Sequence, residues 1–147
     1  MKKRIVTLIV FIIFSMATVA VARDVVIQLP IEDAMNSLSI KSELYSDIEL
    51  FWGEQEHPEP KIVFGEYKTS QRTNALGKSR QDACQWALAS SIKELQARAY
   101  REGGTAVVNI KSNIKNITKS SETEYDCLAG RVMVNVALKG TVVKLAK

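Results

Sequence analysis

The sequence has few of the residues from which most catalytic and metal sites are built. It contains one histidine, two cysteines and three prolines among 147 residues. A histidine-based triad would have His57 as its only candidate base, the two cysteines lack the spacing of a C-x-x-C redox pair, and no serine lies in a G-x-S-x-G turn. We therefore predict that the protein is not an enzyme, with no catalytic, metal or cofactor-binding residues. A hydrolase built on a pair of carboxylates is left open as an alternative.

The sequence also lacks a long apolar run outside its N-terminus. There, three basic residues at positions 2–4 precede an almost wholly apolar stretch at 5–14, and Ala20-Val21-Ala22 supplies the small residues that a signal peptidase recognises. The apolar stretch is short for crossing about 30 Å of hydrocarbon. We predict a signal peptide over residues 1–22 and a single domain over residues 23–147. An uncleaved membrane anchor is the alternative.

The predicted mature chain lacks an excess of charge of either sign. The formal net charge of the whole chain is +4, but three of its 20 basic residues lie in the predicted signal peptide, whereas all 16 acidic residues follow it. Strong binding to nucleic acid requires clustered cations that neutralise many phosphates. We therefore predict no nucleic-acid partner. No cysteine lies at the predicted cleavage site, so we also predict no lipid anchor and no stable membrane anchor after cleavage.

The two cysteines, Cys84 and Cys127, allow only one intramolecular disulfide. An even number of cysteines in an exported protein is typical of disulfide bonding. Closing a loop of about 40 residues would stabilise the fold by about 4 kcal/mol in the chain-entropy model. We predict this bond as a structural element of a periplasmic or secreted protein.

The hydrophobic periodicity predicts an α+β fold. One long helix begins after Ser79, a plausible N-cap, and ends at Gly103-Gly104, where glycine can adopt the left-handed conformation. Its buried side is predicted from helical spacing: Cys84, Leu88, Ser91, Leu95 and Ala99.

Strands are predicted on both sides of this helix, at residues 24–29, 48–52, 61–69, 105–114, 124–138 and 141–145. Two short helical turns are predicted between residues 31 and 44, broken around Asn36-Ser37. Polar loops are predicted at Gly53–Pro60 and Ser70–Lys78, and a break in the strand pattern at Gly140. The predicted architecture is a two-layer sandwich, with one long helix packed on a mainly antiparallel sheet. Cys84 and Cys127 would join the two layers.

The segment "RTNALGKS", residues 72–79, ends like a phosphate-binding P-loop. A complete motif requires glycine where this sequence has Arg72, since the loop must curl its N–H groups around the phosphates. No downstream strand ends in the aspartate of a Walker B motif. Ser79 as an N-cap accounts for these residues without a ligand, and we predict no nucleotide binding.

The lone His57 lies in an acidic loop with Glu54, Glu56 and Glu59. Carboxylates and one imidazole could hold a metal weakly, although such loops are usually plain solvated surface. A small-molecule or metal-binding periplasmic protein is therefore the alternative function. Trp86 lies off the apolar stripe of its helix, so either packing or an interface would account for it.

Two segments carry a resemblance to known proteins: "CQWALASSIKELQARAYREGGTAVVNIKS" and "SSETEYDCLAGRVMVNVALKGTVVKL". They resemble small secreted bacterial proteins that are often mislabelled as an excinuclease ATPase subunit. More distantly, they are similar to the RcsF/YbjQ-like fold, in which a helix packs on a small antiparallel sheet. In that resemblance, Cys84 and Cys127 match the helix-to-strand disulfide of RcsF-type proteins. The second disulfide and the lipid-modified cysteine of RcsF-type sensors are absent, so their sensor role does not transfer.

These observations together predict an exported, disulfide-stabilised, non-enzymatic domain that acts through protein–protein contacts in the cell envelope. The predicted contact surfaces are the outer face of the sheet and the loops Gly53–Pro60 and Ser70–Lys78, since loops on a rigid scaffold often carry function.

Overall fold

The computed structural model describes residues 23–146. The predicted signal peptide, residues 1–22, lies outside the described residues. Within them the chain forms an α+β fold whose sheet is curled into a half-barrel. The predicted α+β class is confirmed.

The described residues contain six strands, three α-helices and one 3-10 turn. The strands are β1 Val25–Pro30, β2 Glu49–Trp52, β3 Pro60–Asn74, β4 Ala106–Ser112, β5 Glu124–Ala129 and β6 Met133–Leu145. The helices are α1 Ile31–Asn36, α2 Leu38–Lys41 and α3 Arg80–Glu102, and the 3-10 turn is Ile114–Asn116.

Strand β6 is the partner of three other strands. One edge of β6 pairs antiparallel with β3 from end to end. The other edge pairs with β5 at Val134 and Asn135, and then with β4 from Leu138 to Val143. Strand β1 extends the β5 side in antiparallel fashion, and β2 extends the β4 side in parallel. The sheet therefore forks at the middle of β6.

Polar contacts hold the fork between β4 and β5. The backbone N–H of Asp126 donates to the hydroxyl of Ser112 over 2.9 Å, and the N–H of Asn113 donates to the carbonyl of Ala137 over 2.8 Å. Ser112 and Asn113 are both buried. These bonds satisfy polar groups that would otherwise be buried without a partner where the two strands diverge.

Helix α3 begins and ends as predicted. The hydroxyl of Ser79 accepts a hydrogen bond from the N–H of Asp82 over 3.0 Å, and Asp82 lies in the first turn, where the helix dipole favours a negative charge. Gly103 is the C-cap, with a left-handed φ of 78°. The five residues predicted to form the buried side of the helix are all buried.

The buried side of α3 packs against the sheet and contributes to the main hydrophobic core. Two buried polar side chains on it are satisfied by hydrogen bonds. The hydroxyl of Ser91 donates to the carbonyl of Val136 in β6 over 2.7 Å. The amide of Gln96 donates to the carbonyls of Tyr45 and Ile48 and accepts from the N–H of Tyr45. Gln96 therefore fixes the segment between α2 and β2 against α3.

The prediction of a two-layer sandwich with one long helix was correct only in part. The helical residues are divided among three helices, of which only α3 is long. The break between α1 and α2 falls at Ser37, where two short helical turns were predicted to separate. The sheet is a curled half-barrel rather than a flat layer, because its two arms leave the same edge of β6.

The predicted polar loop Ser70–Lys78 was wrong over its first half. Residues 70–74 continue β3, where Ser70 pairs with Ala137 and Asn74 with Met133. Their polar character reflects a strand at the edge of the sheet rather than a loop. Only residues 75–79 connect β3 to α3.

The predicted strand over residues 124–138 is divided, and the predicted break at Gly140 is absent. The chain turns between Ala129 and Met133, with the N–H of Gly130 donating to the carbonyl of Met133 over 2.9 Å. Strand β6 runs through Gly140 without interruption. A Cβ atom on Gly140 would lie 2.7 Å from Cγ1 of Val107 and 3.3 Å from Cγ1 of Ile110. Glycine is therefore needed there because β4 packs against it, and not to end a strand.

We predict that Gly140→Ala lowers the free energy of unfolding by about 1–3 kcal/mol, because the added methyl group overpacks the core. Urea denaturation would measure the change. The control is the same substitution in a Val107→Ala background, where the crowding atom has been removed. The cost of Gly140→Ala should be clearly smaller there, and equal costs in both backgrounds would contradict the explanation.

Candidate functional site

The structure joins Cys84 and Cys127 in a disulfide, as predicted. Cys84 lies in the second turn of α3 and Cys127 in β5, with their Cα atoms 6.0 Å apart. Both residues are fully buried in the main core. The bond connects the helix to the arm of the sheet that contains β1 and β5, and it leaves no free thiol in the described chain.

The segment that resembles a P-loop is a short connection whose polar groups bond to one another. Arg72 lies in β3, paired with Asn135. The side chain of Asn74 accepts from the N–H of Leu76 over 2.8 Å, and the hydroxyl of Ser79 caps α3. These contacts confirm the N-cap. The absence of nucleotide binding stays a prediction.

The acidic loop around His57 packs beside β2. The ring of His57 lies edge-on to Phe51, with centroids 5.5 Å apart, and its Nδ1 lies 2.9 Å from the carbonyl of Pro58. Glu54 forms an ion pair with Lys111 at 2.9 Å. In residues 23–146, no three side chains of the His, Cys, Asp and Glu types come together in a way that could hold a metal.

A concave surface with a partly apolar lining lies between α1 and β2, and we call it the Trp52 groove. Its volume is about 520 Å³. Its apolar lining comes from Ile31 and Met35 on α1 and from Leu50 and Trp52 on β2. Trp52 and Ile31 are buried in the core cluster, so the groove has a rigid floor.

The sequence next to Trp52 fixes the wall of the groove. The N–H of Trp52 donates to the side-chain oxygen of Gln55 over 2.7 Å, which forms a tight turn after β2. Gly53 has a φ of 55°, and a Cβ atom there would lie 3.0 Å from the carbonyl carbon of Ser121. Glycine at this position lets residues 121–122 approach the turn closely.

Three carboxylates edge the Trp52 groove: Glu32, Glu122 and Glu124. Each is exposed, and none of the described residues that line the groove is basic. None of the three forms an ion pair with another described residue, whereas Glu43, Glu54, Glu66, Glu102 and Asp126 do. The groove therefore combines an apolar floor with uncompensated negative charge.

Tyr125 lies next to Glu124 but points into the core. It is fully buried, and within the described part of the chain its hydroxyl has no hydrogen-bond partner. Burial raises the pKa of Tyr125 well above its ordinary value, and the negative charge of Asp33 on α1 adds to the rise. The neutral phenol is thus strongly favoured in the folded chain.

Reasoning from the sequence missed this groove. Glu122 and Glu124 lie about 70 residues beyond Trp52 in the sequence, so no local pattern links them. Trp86 lies on α3 and keeps 37% of its surface exposed, away from the groove.

Among the helices of the described residues, none is both long enough and apolar enough to span a membrane. The chain matches no protein family, no curated protein and no solved structure in the three comparisons made. The resemblance to RcsF/YbjQ-like proteins therefore stays a prediction.

We predict that Tyr125→Phe does not destabilise the protein at neutral pH, because it removes a buried hydroxyl without a partner. The wild type should lose stability as the pH rises above about 10, the ordinary tyrosine value. The unfolded chain can then release the phenol proton, whereas the folded chain holds it. Tyr125→Phe should lose less stability over the same range.

Urea denaturation at pH 7 and at several values above pH 9 would measure both effects. Tyr100→Phe is the matched control, because Tyr100 is 65% exposed and its substitution leaves Tyr125 in place. This control should follow the wild-type pH dependence. A Tyr125→Phe protein that also follows it would contradict the assignment.

Proposed function

We propose that the protein is an exported, non-enzymatic domain that works by binding another protein in the cell envelope, in the periplasm or after secretion. The buried Cys84–Cys127 bond supports export, because disulfides persist in oxidising compartments. The basic and apolar N-terminal pattern of the sequence supports the same conclusion.

The observation that carries the binding role is the Trp52 groove. Contact surfaces between proteins combine an apolar centre, often with an aromatic side chain, and a polar rim. Trp52, Leu50 and Ile31 would supply the centre, and the three carboxylates Glu32, Glu122 and Glu124 would supply the rim.

The charge of the rim defines the occupant that we propose. Complementarity of charge favours a segment in which lysine or arginine flanks an apolar side chain. The apolar side chain would contact Leu50 and Trp52, while the cations would lie near Glu122 and Glu124. A neutral or acidic segment would leave the three carboxylates unbalanced.

The acidic loop around His57 gives less support to the alternative of metal binding. Glu54 already balances Lys111, and the imidazole packs against Phe51. Binding of a metal to Glu54 would compete with its ion pair to Lys111.

We predict that the protein isolated from the cell envelope contains no reactive thiol until it is reduced. Thiol titration under denaturing conditions would measure this. Reduction should lower the free energy of unfolding by about 4 kcal/mol. A Cys84→Ala/Cys127→Ala variant is the control, since reductant should not change its stability. Two free thiols in the untreated wild type would refute the proposed compartment.

We predict that the Trp52 groove binds a short peptide of alternating lysine and leucine. In a Trp86→Phe background, Trp52 is the only tryptophan, so its fluorescence reports on the groove alone. Binding should change this fluorescence in a saturable, salt-sensitive way. A peptide with glutamate in place of lysine should have no effect.

Neutralising the rim should weaken this binding. Glu32→Gln/Glu122→Gln/Glu124→Gln is expected to raise Kd about tenfold, or about 1.4 kcal/mol shared among three exposed charge pairs. The matched control removes the same charge elsewhere, at Glu56, Glu59 and Glu94, and should keep the wild-type Kd. Equal effects of the two triple variants would refute the groove as the binding surface.

A further inference from the structure

A second concave surface lies on the outer face of the sheet, and we call it the Asn113 pocket. It encloses about 280 Å³ above Ala137 in the middle of β6. Ala137 pairs with Ser70 of β3 on one side, and on the other side its carbonyl accepts the N–H of Asn113. The methyl group of Ala137 is shorter than the polar side chains around it, and this difference creates the pocket.

The walls of the Asn113 pocket are polar. They are formed by Lys68 and Ser70 of β3, Asn135 of β6, and Asn113, Lys115 and Asn116 at the 3-10 turn. Within residues 23–146, no acidic side chain lines the pocket. The charged side chains of this pocket are basic, whereas those of the Trp52 groove are acidic.

Asn113 is held in place and retains hydrogen-bond donors. It is 6% exposed, and its Oδ1 accepts from the hydroxyl of Thr118 over 3.3 Å. Its side-chain nitrogen forms no hydrogen bond within the described chain. This nitrogen is not one of the fully buried polar atoms that lack a hydrogen-bond partner. A fixed amide with unused N–H groups is suited to an incoming acceptor.

Ser70 is also oriented as a donor. Its oxygen accepts a hydrogen bond from the amide of Asn135 over 2.9 Å, and the same amide donates to the carbonyl of Gln71 over 3.0 Å. The lone pair of Ser70 that faces Asn135 is therefore occupied, and its hydroxyl proton is free to donate.

Positive charge in this region is concentrated at the pocket. Three lysines on nearby strands and loops are each ion-paired with a carboxylate: Lys111, Lys119 and Lys139. Lys68 and Lys115 form no ion pair with any residue between 23 and 146. Uncompensated cations beside neutral donors attract an anion.

The backbone that presents Lys115 is strained. Lys115 has a φ of 52°, in the left-handed region that a lysine seldom adopts, and Asn116, a residue type that adopts it more readily, has a φ of 62°. The conformation of Lys115 costs about 1 kcal/mol or more, and such conformations often occur at functional sites. Here they turn the chain after β4 so that Lys115 and Asn116 line the same pocket as Asn113.

We propose that the Asn113 pocket binds a small oxyanion, the phosphate or carboxylate group of a low-molecular-weight ligand. Lys68 and Lys115 supply the charge, and Asn113 and Ser70 supply directed N–H and O–H donors. The site is separate from the Trp52 groove and does not depend on the proposed protein partner.

Titration of the purified protein with inorganic phosphate, acetate and citrate, followed by amide NMR, tests this proposal and distinguishes phosphate from carboxylate ligands. At least one of the three should give saturable shifts centred on the side-chain amide of Asn113 and the backbone of Lys115. Shifts scattered over all exposed lysines, or no saturable shift with any of the three, would overturn the site.

Two variants probe the site through different physical causes. Lys68→Gln/Lys115→Gln should weaken binding at least about tenfold, and Ala137→Leu should abolish it by filling the pocket without changing the charge. Lys41→Gln/Lys78→Gln removes the same charge from exposed positions elsewhere and should bind as the wild type does.

Circular dichroism and the amide spectrum report whether each variant is folded. If Ala137→Leu is misfolded, Ala137→Val provides a smaller filling group for the same measurement. Undiminished binding by a folded Ala137 variant, or equal loss in both lysine pairs, would refute the proposal.

Discussion

The pairing of β6 with β3, β4 and β5 is the constraint on which the rest of the structure depends. Strand β6 provides hydrogen-bond partners for the backbone groups of three other strands. Both arms of the sheet are therefore positioned relative to β6. Helix α3 then packs on this shared strand, with Ser91 bonded to Val136 and Gly140 allowing β4 to approach closely. The disulfide adds a covalent connection to the arm that β6 holds least, since β5 pairs with it at only two residues.

The sequence correctly predicted features that depend only on residues close together in the chain. The N-cap at Ser79, the C-cap at Gly103 and the buried stripe of α3 depend on neighbouring residues within one helix, and they were correct. The pairing of Cys84 with Cys127 followed from the cysteine count alone. The strand over residues 70–74 was missed because its polar composition resembles a loop, and only its partner β6 makes it a strand. Gly140 was misassigned because the reason for glycine there is the proximity of Val107, over 30 residues away in sequence.

The residues of the two candidate surfaces could not have been predicted from local patterns, because each surface collects them from distant segments. The Trp52 groove combines α1, β2 and the start of β5, and the Asn113 pocket combines β3, β6 and the turn after β4. Their charges are opposite, although the predicted mature chain is nearly neutral. The net charge of the chain therefore does not reveal that the two surfaces carry opposite charges.

The position of β6 in the chain also has a consequence for when the fold can form. It follows every other strand in the sequence, and its pairing with β3 joins residues as distant as Pro60 and Leu145. Such non-local topology slows folding, because loop-closure entropy is lost before the contacts compensate for it. During synthesis, β3 has no partner strand until β6 is made, and the β1–β5 and β2–β4 pairs cannot be joined into one sheet before then. The complete sheet of the described residues therefore forms only after β6 has been synthesised.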